Sequence, residues 1–242
     1  MSQLLTSDAP VNQSVERAVK LLSLFSPEEP ELTLTQLTER LEASKATTHR
    51  YTLALRRVGL LRLDGGAYSL GPRVVELAAT ALAGLRIVRI AGATMQRLVA
   101  ELNETVVLSI WDGEQPVVMR VDDNTDRLVR IVVRTGARLP RGESAQGKIF
   151  LAFGPGSGEL DPAERDEIQT TRIAVNSQVV EGIRAIATPV FQGDEVTAAM
   201  AIVGTIVSLP DDPRSGLAIR LRAAADALSD ELGFLSDERS TA

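Results

Sequence analysis

The first part of the chain alternates between apolar stripes at helical spacing and short polar breaks. The first stripe has spacings of three and four residues and consists of Val15, Ala18, Val19, Leu22 and Phe25. Such a stripe predicts an amphipathic helix, and Ser14 is a suitable N-cap for it. A second stripe predicts a short helix after Thr33 or Thr35 and consists of Leu34, Leu37 and Leu41.

After a break at residues 42–44, a third helix is predicted from the N-cap Ser44 to Val58, with Gly59 in the left-handed position that ends it. Its inward side is predicted to comprise Thr47, Tyr51, Ala54, Leu55 and Val58. Its opposite, polar side comprises Lys45, Thr48, His49, Thr52 and Arg56. Two helices joined by a short turn, the second with a polar face, are typical of a helix-turn-helix.

The pattern then changes to that of a β-hairpin. Two mainly apolar segments, residues 60–63 and 68–70, flank the turn sequence Asp64-Gly65-Gly66-Ala67. A hairpin that directly follows the third helix is a wing, from which Arg62 can reach a phosphate or the minor groove. Residues 12–71 are therefore predicted to form a winged helix-turn-helix DNA-binding domain.

The rest of the chain predicts a linker helix and an α+β domain. Residues 72–86 begin with a proline and carry an apolar stripe of Val75, Ala78, Ala79, Leu82 and Leu85. A core helix within one continuous domain is the alternative for this segment. From residue 87 to 236, helices are predicted up to residue 102 and over 144–153 and 211–232, and strands over 106–111, 117–121, 128–133, 183–191 and 196–203. Hairpins between helices favour an antiparallel sheet with helical cover.

The charge distribution changes what the composition suggests. The 242 residues carry a net charge of −6, which by itself argues against a nucleic-acid-binding protein. Residues 40–73, however, carry seven basic and two acidic side chains, whereas residues 76–242 have a net charge of −7. The acidic second part therefore hides a basic segment that coincides with the predicted helix-turn-helix and wing. An ordinary solvated face is the alternative for each of these charges taken alone.

The composition argues against most catalytic chemistry. The chain has no Cys and one His, which argues against disulfides, zinc sites, thiol nucleophiles and histidine relays. Residues 142–148 fit the pattern GxxxxGK, but Ile149 stands where a phosphate loop needs Ser or Thr for magnesium. We therefore predict no catalytic residues, no cofactor and no metal.

The sequence predicts a cytoplasmic protein with no membrane partner. Its first residues lack the basic start and apolar stretch of a secretory signal. A notable uncharged run, residues 196–210, has 15 residues, fewer than the ~20 that a membrane helix needs.

The motifs of both parts resemble the IclR family of bacterial transcription regulators. Ser44-Lys45, Thr47, His49-Arg50, Gly59 and residues 68–71 match that family's helix-turn-helix and wing. The segments GARLPRGESAQGKIFLA and VVEGIRAIATPVFQGDEVTAAMAIVG resemble its C-terminal domain. The chain departs from the family pattern at Glu42, where Gly is common, and at Ala46, where Ser or Thr is common. The resemblance implies a dimer or tetramer on a pseudo-palindromic operator, a linker helix with dimer contacts, and a GAF-like effector-binding domain.

The predicted DNA contacts lie on the third helix and the wing. The residues predicted to contact base edges are Lys45, Thr48, His49 and Thr52. The residues predicted to bind phosphates are Arg50, Arg56, Arg57 and Arg62. Ser44 and Thr47, at the start of the helix, are also predicted DNA contacts. The predicted partner is double-stranded DNA.

For the second domain, the resemblance implies an effector site between the loop before residue 144 and the late hairpin. The matching residues are Ser144, Ala145, Gln146, Gly147, Val175, Ala185, Ala201 and Val203. Because they are mostly apolar, the predicted effector is a fairly apolar small molecule with a polar end near Gln146. Two other hypotheses stay open, an enzyme with an accessory winged-helix module and a structural protein without a ligand.

Overall fold

The computed structural model describes residues 12–26, 28–123, 131–154, 160–176 and 178–240, with side chains up to residue 233. Contacts divide the chain into two compact units, Met1–Gly84 and Leu85–Ala242. Each unit has its own hydrophobic core, so each is described separately.

The described residues of the first unit form four helices and a small sheet. Its helices are α1 (Gln13–Leu22), α2 (Leu34–Leu41), α3 (Lys45–Arg57) and α4 (Pro72–Gly84). Its strands are β1 (Leu32–Thr33), β2 (Leu61–Asp64) and β3 (Ala67–Leu70), paired antiparallel in the order β1-β3-β2. The buried core side chains are Leu21, Leu32, Leu37, Leu41, Tyr51, Leu55, Leu61 and Tyr68. This arrangement is the predicted winged helix-turn-helix.

Helix α1 differs from its prediction at both ends. Its N-cap is Asn12, whose side-chain oxygen accepts a hydrogen bond from the backbone N–H of Ser14, so Ser14 is not the cap. The helix ends at Leu22. Of the predicted stripe, Val15 and Val19 are 59% and 56% exposed, whereas Ala18, Leu22 and Phe25 pack against the core. The fully buried residue of the helix is Leu21, which the stripe did not include.

The turns of the first unit follow the sequence signals. Thr33 caps α2 in a capping box with Gln36. Gly65 and Gly66 both have positive φ angles, 55° and 89°, as a two-residue hairpin between β2 and β3 requires. Gly59 has a φ of 78° and takes the predicted left-handed position after α3.

The second unit is built on a five-stranded antiparallel sheet. The strands, in the order β5-β4-β8-β7-β6, are β4 (Thr105–Trp111), β5 (Pro116–Asp122), β6 (Ala174–Asn176), β7 (Ile183–Gln192) and β8 (Glu195–Thr205). The helices are α5 (Arg86–Leu102), α6 (Ala145–Phe153), α7 (Pro162–Thr171) and α8 (Gly216–Ser240). Helices α5 and α8 pack in one core with one set of strand residues, and α6 packs in another core with alternate residues. The α+β prediction with an antiparallel sheet is confirmed.

Some elements of the second unit were not predicted. Helix α7 has Asp161 as its N-cap and buries Ile168 and Thr171, so it has no apolar stripe to identify it. Strand β6 is three residues long, below the usual four to eight of a recognisable strand pattern. Helix α8 begins at residue 216 and not at 211. Residues 131–133, the end of a predicted strand, are not in a strand, and 128–130 lie outside the described residues.

Candidate functional site

The start of helix α3 is fixed by its own side chains. The Ser44 hydroxyl accepts a hydrogen bond from the backbone N–H of Thr47 and lies 2.9 Å from the Thr47 hydroxyl. Ser44 is thus the N-cap of the helix, and its hydroxyl is held by Thr47. The preceding turn places Glu42 at φ 53°, in the left-handed region that favours glycine. The departure from the family pattern at residue 42 is therefore accommodated by a strained backbone.

The structure corrects the predicted orientation of α3. Thr48 and Thr52 are fully buried and cannot contact base edges. The Thr48 hydroxyl donates to the carbonyl of Ser44 and that of Thr52 to the carbonyl of His49, so burial leaves neither hydroxyl unpaired. Conversely, Val58, which was predicted to pack inward, is 59% exposed.

The exposed side of α3 is basic and faces a groove beside the wing. Lys45 and His49 are exposed near the helix start. The groove has a volume of about 830 Å³ and is lined by Arg50, Leu53, Ala54, Arg56, Arg57, Leu61, Arg62 and Leu63. All four arginines that were assigned to phosphates therefore line one concave surface, whose charge suits a nucleic-acid backbone.

Two arginines of the basic segment are held by other side chains. The Arg62 Nε donates to the Ser69 hydroxyl over 2.7 Å, across the β2–β3 pair, which orients the guanidinium on the wing. Arg40, in contrast, binds both carboxylate oxygens of Glu29, at 2.7 and 2.8 Å, and does not line the groove. Arg40 therefore contributes little to the local charge.

In the second unit, a cavity of about 420 Å³ lies between the start of α6, the ends of β6 to β8 and two loops. It is lined mostly by apolar side chains, namely Ile131, Val132, Val133, Ala137, Leu139, Ala145, Val179, Val180, Ile183, Ala185 and Val203. Its polar lining residues are Arg134, Ser144, Gln146 and Asn176. An apolar cavity with a few polar groups is the usual form of a small-molecule site.

The start of α6 at this cavity is closely packed. The Ser144 hydroxyl donates to the carbonyl of Pro140 over 2.6 Å and accepts from the N–H of Gly147 over 3.0 Å. A Cβ on Gly147 would lie 1.9 Å from the carbonyl oxygen of Arg141, so glycine is required there. The first N–H groups of α6, those of Ala145 and Gln146, have no partner within a helix and point to its N-terminal side.

The structure brings five of the eight predicted effector residues to the cavity, and these are Ser144, Ala145, Gln146, Ala185 and Val203. Gly147 packs against the loop before α6, and Ala201 is buried in the core under this helix. Val175 packs on the opposite face of the sheet, in the core with α5 and α8. Because side chains alternate along a strand, its neighbour Asn176 lines the cavity instead.

The loop that lines one side of the cavity is attached to the β4–β5 hairpin. The N–H of Leu139 donates to the carbonyl of Pro116, and the Arg138 guanidinium binds the Asp112 carboxylate. Burial raises the pKa of Asp112, but hydrogen bonds from Arg138 and from nearby backbone N–H groups outweigh it, so this pKa lies below its ordinary value. The loop is therefore held by a charged pair at neutral pH.

The GxxxxGK segment does not form a phosphate loop. Lys148 lies within α6, and its ammonium binds the Glu164 carboxylate of α7 at 2.6 Å. Over the described part of the chain, no group of three or more His, Asp or Glu side chains could hold a metal ion. No helix among the same residues is long and apolar enough to cross a membrane.

A winged helix with a basic groove, followed by a separate unit with an apolar cavity, is the arrangement of a two-domain DNA-binding regulator. Sequence comparison gives the same result. The IclR helix-turn-helix domain matches residues 14–65, and the C-terminal domain of the bacterial transcriptional regulator IclR matches residues 79–169. The chain belongs to the IclR family of transcriptional regulators, as its motifs predicted.

Individual relatives agree with this assignment. The HTH-type transcriptional regulator XynR of Escherichia coli is 29% identical, over 93% of this chain and 99% of the relative. A crystal structure of an IclR transcriptional regulator from Silicibacter sp. TM1040 superposes with a TM-score of 0.77 at 25% identity, covering 91% of this chain and 96% of that one. An IclR homologue from Microbacterium hydrocarbonoxydans, complexed with 4-hydroxybenzoate, has the same fold (TM-score 0.75, 22% identity, 90% and 98% covered). XynR and the Silicibacter protein are both named as transcriptional regulators.

Proposed function

We propose that this chain binds a pseudo-palindromic operator as a dimer or tetramer, and that a small, largely apolar molecule in the second unit changes its operator affinity. The observation that carries the proposal is that one chain combines an arginine-lined groove on a winged helix with an apolar cavity in a separate unit. Neither feature alone defines a regulator, but their combination is what a ligand-dependent DNA switch needs.

For DNA recognition, we assign the base-edge contacts to the exposed residues near the start of α3. Lys45 and His49 are exposed there, whereas Thr48 and Thr52 are buried. The four groove arginines supply phosphate contacts, which set affinity and salt dependence. In this assignment, the base contacts come from the start of α3 and the phosphate contacts come from the groove that α3 and the wing strand β2 line together.

Self-association is supported by helix α4. None of its residues is buried within the chain, although it is rich in apolar side chains. Val75, Leu77 and Leu82 are 70%, 53% and 43% exposed. An apolar helix of this kind is normally covered. A second copy of the chain is the partner that fits, because two winged helices are needed to bind two half-sites one DNA turn apart.

The bound effector is proposed to contact the cavity residues Ser144, Ala145, Gln146, Asn176, Ala185 and Val203. The cavity volume of about 420 Å³ is in the range of small-molecule sites. Coupling between two sites of a regulator amounts typically to ~1–3 kcal/mol, or about 5- to 150-fold in affinity. This is the change of operator affinity that we expect on saturation with the effector.

The experiment that tests the proposal is an electrophoretic mobility shift with DNA from upstream of the chain's own gene. It is run over a series of salt concentrations, and a scrambled duplex of equal length is the control. We expect specific retardation that weakens as salt rises. A lack of retardation at low salt would exclude the DNA-binding function. Saturable binding of a small molecule that shifts operator affinity supports the switch, and its absence supports a ligand-independent protein.

A further inference from the structure

One large apolar side chain on α3 lies among the arginines of the groove in the first unit. Leu53 lines this groove and is 55% exposed. Arg50 and Arg57, which line the same groove, are three residues before and four residues after it on the helix. Residues at these spacings are neighbours on one helix face. Leu53 therefore lies between two guanidinium side chains on the surface that is proposed to face DNA.

Leu53 also continues the row of exposed residues that begins at the start of α3. It follows the exposed His49 by four residues, and His49 follows the exposed Lys45 by the same interval. Four residues advance a helix by about 6 Å, and successive nucleotides of one strand are about 3.4 Å apart. A helix that lies along the major groove therefore brings Leu53 about two base pairs beyond His49.

The chemistry of leucine restricts what this side chain can recognise on DNA. Leucine has no charge and no hydrogen-bonding group, so it binds neither a phosphate nor the polar atoms of a base edge. The apolar group that base pairs present in the major groove is the C5-methyl group of thymine. Contact between a leucine and this methyl group removes apolar surface of both from water, which favours binding.

A packing role within the groove is the competing explanation for Leu53. Leu61 and Leu63 of strand β2 line the same groove and are 2% and 38% exposed. Arginine side chains place their apolar stems on surfaces of this kind. If Leu53 served only to support these stems, its removal would displace guanidinium groups and change the salt dependence of DNA binding. A methyl contact carries no charge, so its loss leaves the salt dependence unchanged.

We propose that Leu53 reads the methyl group of one thymine in each half-site of the operator. This inference rests on the proposed function, because it assumes that α3 enters the major groove. It adds a specificity-determining residue of a different chemistry to Lys45 and His49, whose polar groups are suited to hydrogen bonds with base edges. Each half-site is thus recognised by hydrogen bonds near the start of α3 and by an apolar contact one turn further along.

The test removes single methyl groups from the DNA. In the duplex from upstream of the gene, each thymine in turn is replaced by deoxyuridine, which lacks the methyl group and keeps the hydrogen-bonding atoms of the base. The affinity of the full chain is measured by fluorescence anisotropy at constant salt. We expect a loss of about fourfold at one thymine in each half-site, the effect of one methyl group that is no longer buried. If no deoxyuridine substitution lowers the affinity, the proposal is overturned.

The variant Leu53→Ala tests whether Leu53 makes the methyl contact. We expect it to bind the thymine and the deoxyuridine duplexes equally at the sensitive position, and to keep the salt slope of the original chain. Val58→Ala is the matched control, since Val58 is 59% exposed at the end of the same helix and is not among the residues that line the groove. This control is expected to retain the deoxyuridine effect of the original chain.

Two results with Leu53→Ala contradict the assignment. One is a deoxyuridine effect that persists in full. The other is a salt slope reduced as in a variant without a groove arginine, because Leu53 then acts by positioning the arginines. If Leu53→Ala does not fold, as judged by circular dichroism, Leu53→Gln takes its place with the same expected results, since glutamine keeps the length of the side chain and the helix propensity but has no terminal methyl groups.

The proposed function and the role of Leu53 fail in different ways. If the original chain does not retard the duplex at low salt, the proposed function is rejected. If it retards the duplex and every deoxyuridine duplex binds as tightly as the thymine duplex, the reading of a methyl group by Leu53 is rejected and the DNA-binding function stands.

Discussion

The hydroxyl groups of Thr52 and Tyr68 lie 3.3 Å apart and are hydrogen-bonded inside the first unit. Thr52 is on the helix that is proposed to enter the major groove, and Tyr68 is on the wing strand β3. Both side chains are buried. This contact connects the wing to the helix, so that the proposed base contacts and the proposed phosphate contacts are held in one geometry before DNA is bound.

The buried position of Thr52 leads to a prediction that separates packing from DNA recognition. Thr52→Val keeps the shape of the side chain but leaves the Tyr68 hydroxyl without its partner. We expect a loss of about 1 kcal/mol in the free energy of unfolding, measured by urea denaturation. The sequence preference for the operator, measured with single-base variants, stays unchanged.

His49→Ala is the contrasting variant, because His49 is exposed on the same helix. It is expected to leave stability within about 0.5 kcal/mol of the original chain, and to relax the base preference at one or two operator positions. If Thr52→Val relaxes the preference and His49→Ala does not, the orientation of α3 described above is wrong.

From the four arginines that line the groove, we predict how DNA affinity depends on salt concentration. Replacing Arg56 or Arg57 by Ala is expected to reduce the steepness of the plot of log affinity against log salt by about 0.9 for each phosphate that the variant no longer neutralises. The measurement is a mobility shift or fluorescence anisotropy titration at several salt concentrations.

Arg40→Ala is the matched control for the salt series. Arg40 belongs to the same basic segment, but its guanidinium is bound to both carboxylate oxygens of Glu29, outside the groove. We expect its salt slope to equal that of the original chain. A slope reduced as much in Arg40→Ala as in Arg56→Ala would indicate that net charge, and not the groove, determines the affinity.

The sequence predicted the helices and strands best where a local signal, such as a cap or a turn, marked the end of the element. The recognition helix followed from the cap at Ser44 and the glycine at residue 59, and the wing followed from its Asp-Gly-Gly turn. The orientation of α3 was predicted wrongly because the helical spacing put Thr48 and Thr52 on the polar side. Thr48 and Thr52 are buried because their hydroxyls bond to backbone carbonyls of the preceding turn, which hydrophobic patterning does not register.

At the cavity, the residue predicted on strand β6 was one position away from the residue that lines the cavity. The resemblance pointed to Val175, but the register of a three-residue strand cannot be read from its sequence, and a shift by one residue exchanges the faces of the sheet. The pairing of Asn176 with Ala185 sets that register in the structure. Asn176 therefore became a candidate only when the sheet was known.

The left-handed conformation of Glu42 predicts a stabilising substitution. A residue with a Cβ costs about 1–2 kcal/mol in this region, and glycine avoids that cost. We expect Glu42→Gly to raise the free energy of unfolding by about 1 kcal/mol, after the entropic cost of glycine. Glu42→Asn removes the same charge and tolerates the left-handed region less well than glycine, so its gain is smaller. A destabilised Glu42→Gly variant would contradict the assigned backbone conformation.

The close packing of Gly147 leads to a prediction about substitutions at the start of α6. In Gly147→Ala the new methyl group would meet the Arg141 carbonyl at 1.9 Å, so helix α6 or the preceding loop must shift. We expect a loss of about 2 kcal/mol or more in stability, together with weaker binding of small molecules in the cavity. Gly142→Ala is the control in the same loop, because a Cβ there meets nothing within 4 Å. Equal effects of the two substitutions in thermal denaturation and calorimetry would show that close packing at α6 is not the cause.

Helix α4 gives the prediction that tests self-association. Val75 and Leu82 lie on one side of this helix at helical spacing, and both are exposed in the single chain. Replacing both by Lys places two charges on the proposed interface, and charges without partners are costly to bury. We expect sedimentation to show a shift toward the monomer and operator affinity to fall more than tenfold, because one winged helix then binds one half-site. Thr80→Lys adds a charge beside Leu77, on the side of α4 away from Val75 and Leu82. It keeps the assembly of the original chain if the side that carries Val75 and Leu82 forms the interface. If the double variant sediments as the original chain does, the interface lies elsewhere, and the exposed side of α4 has another partner.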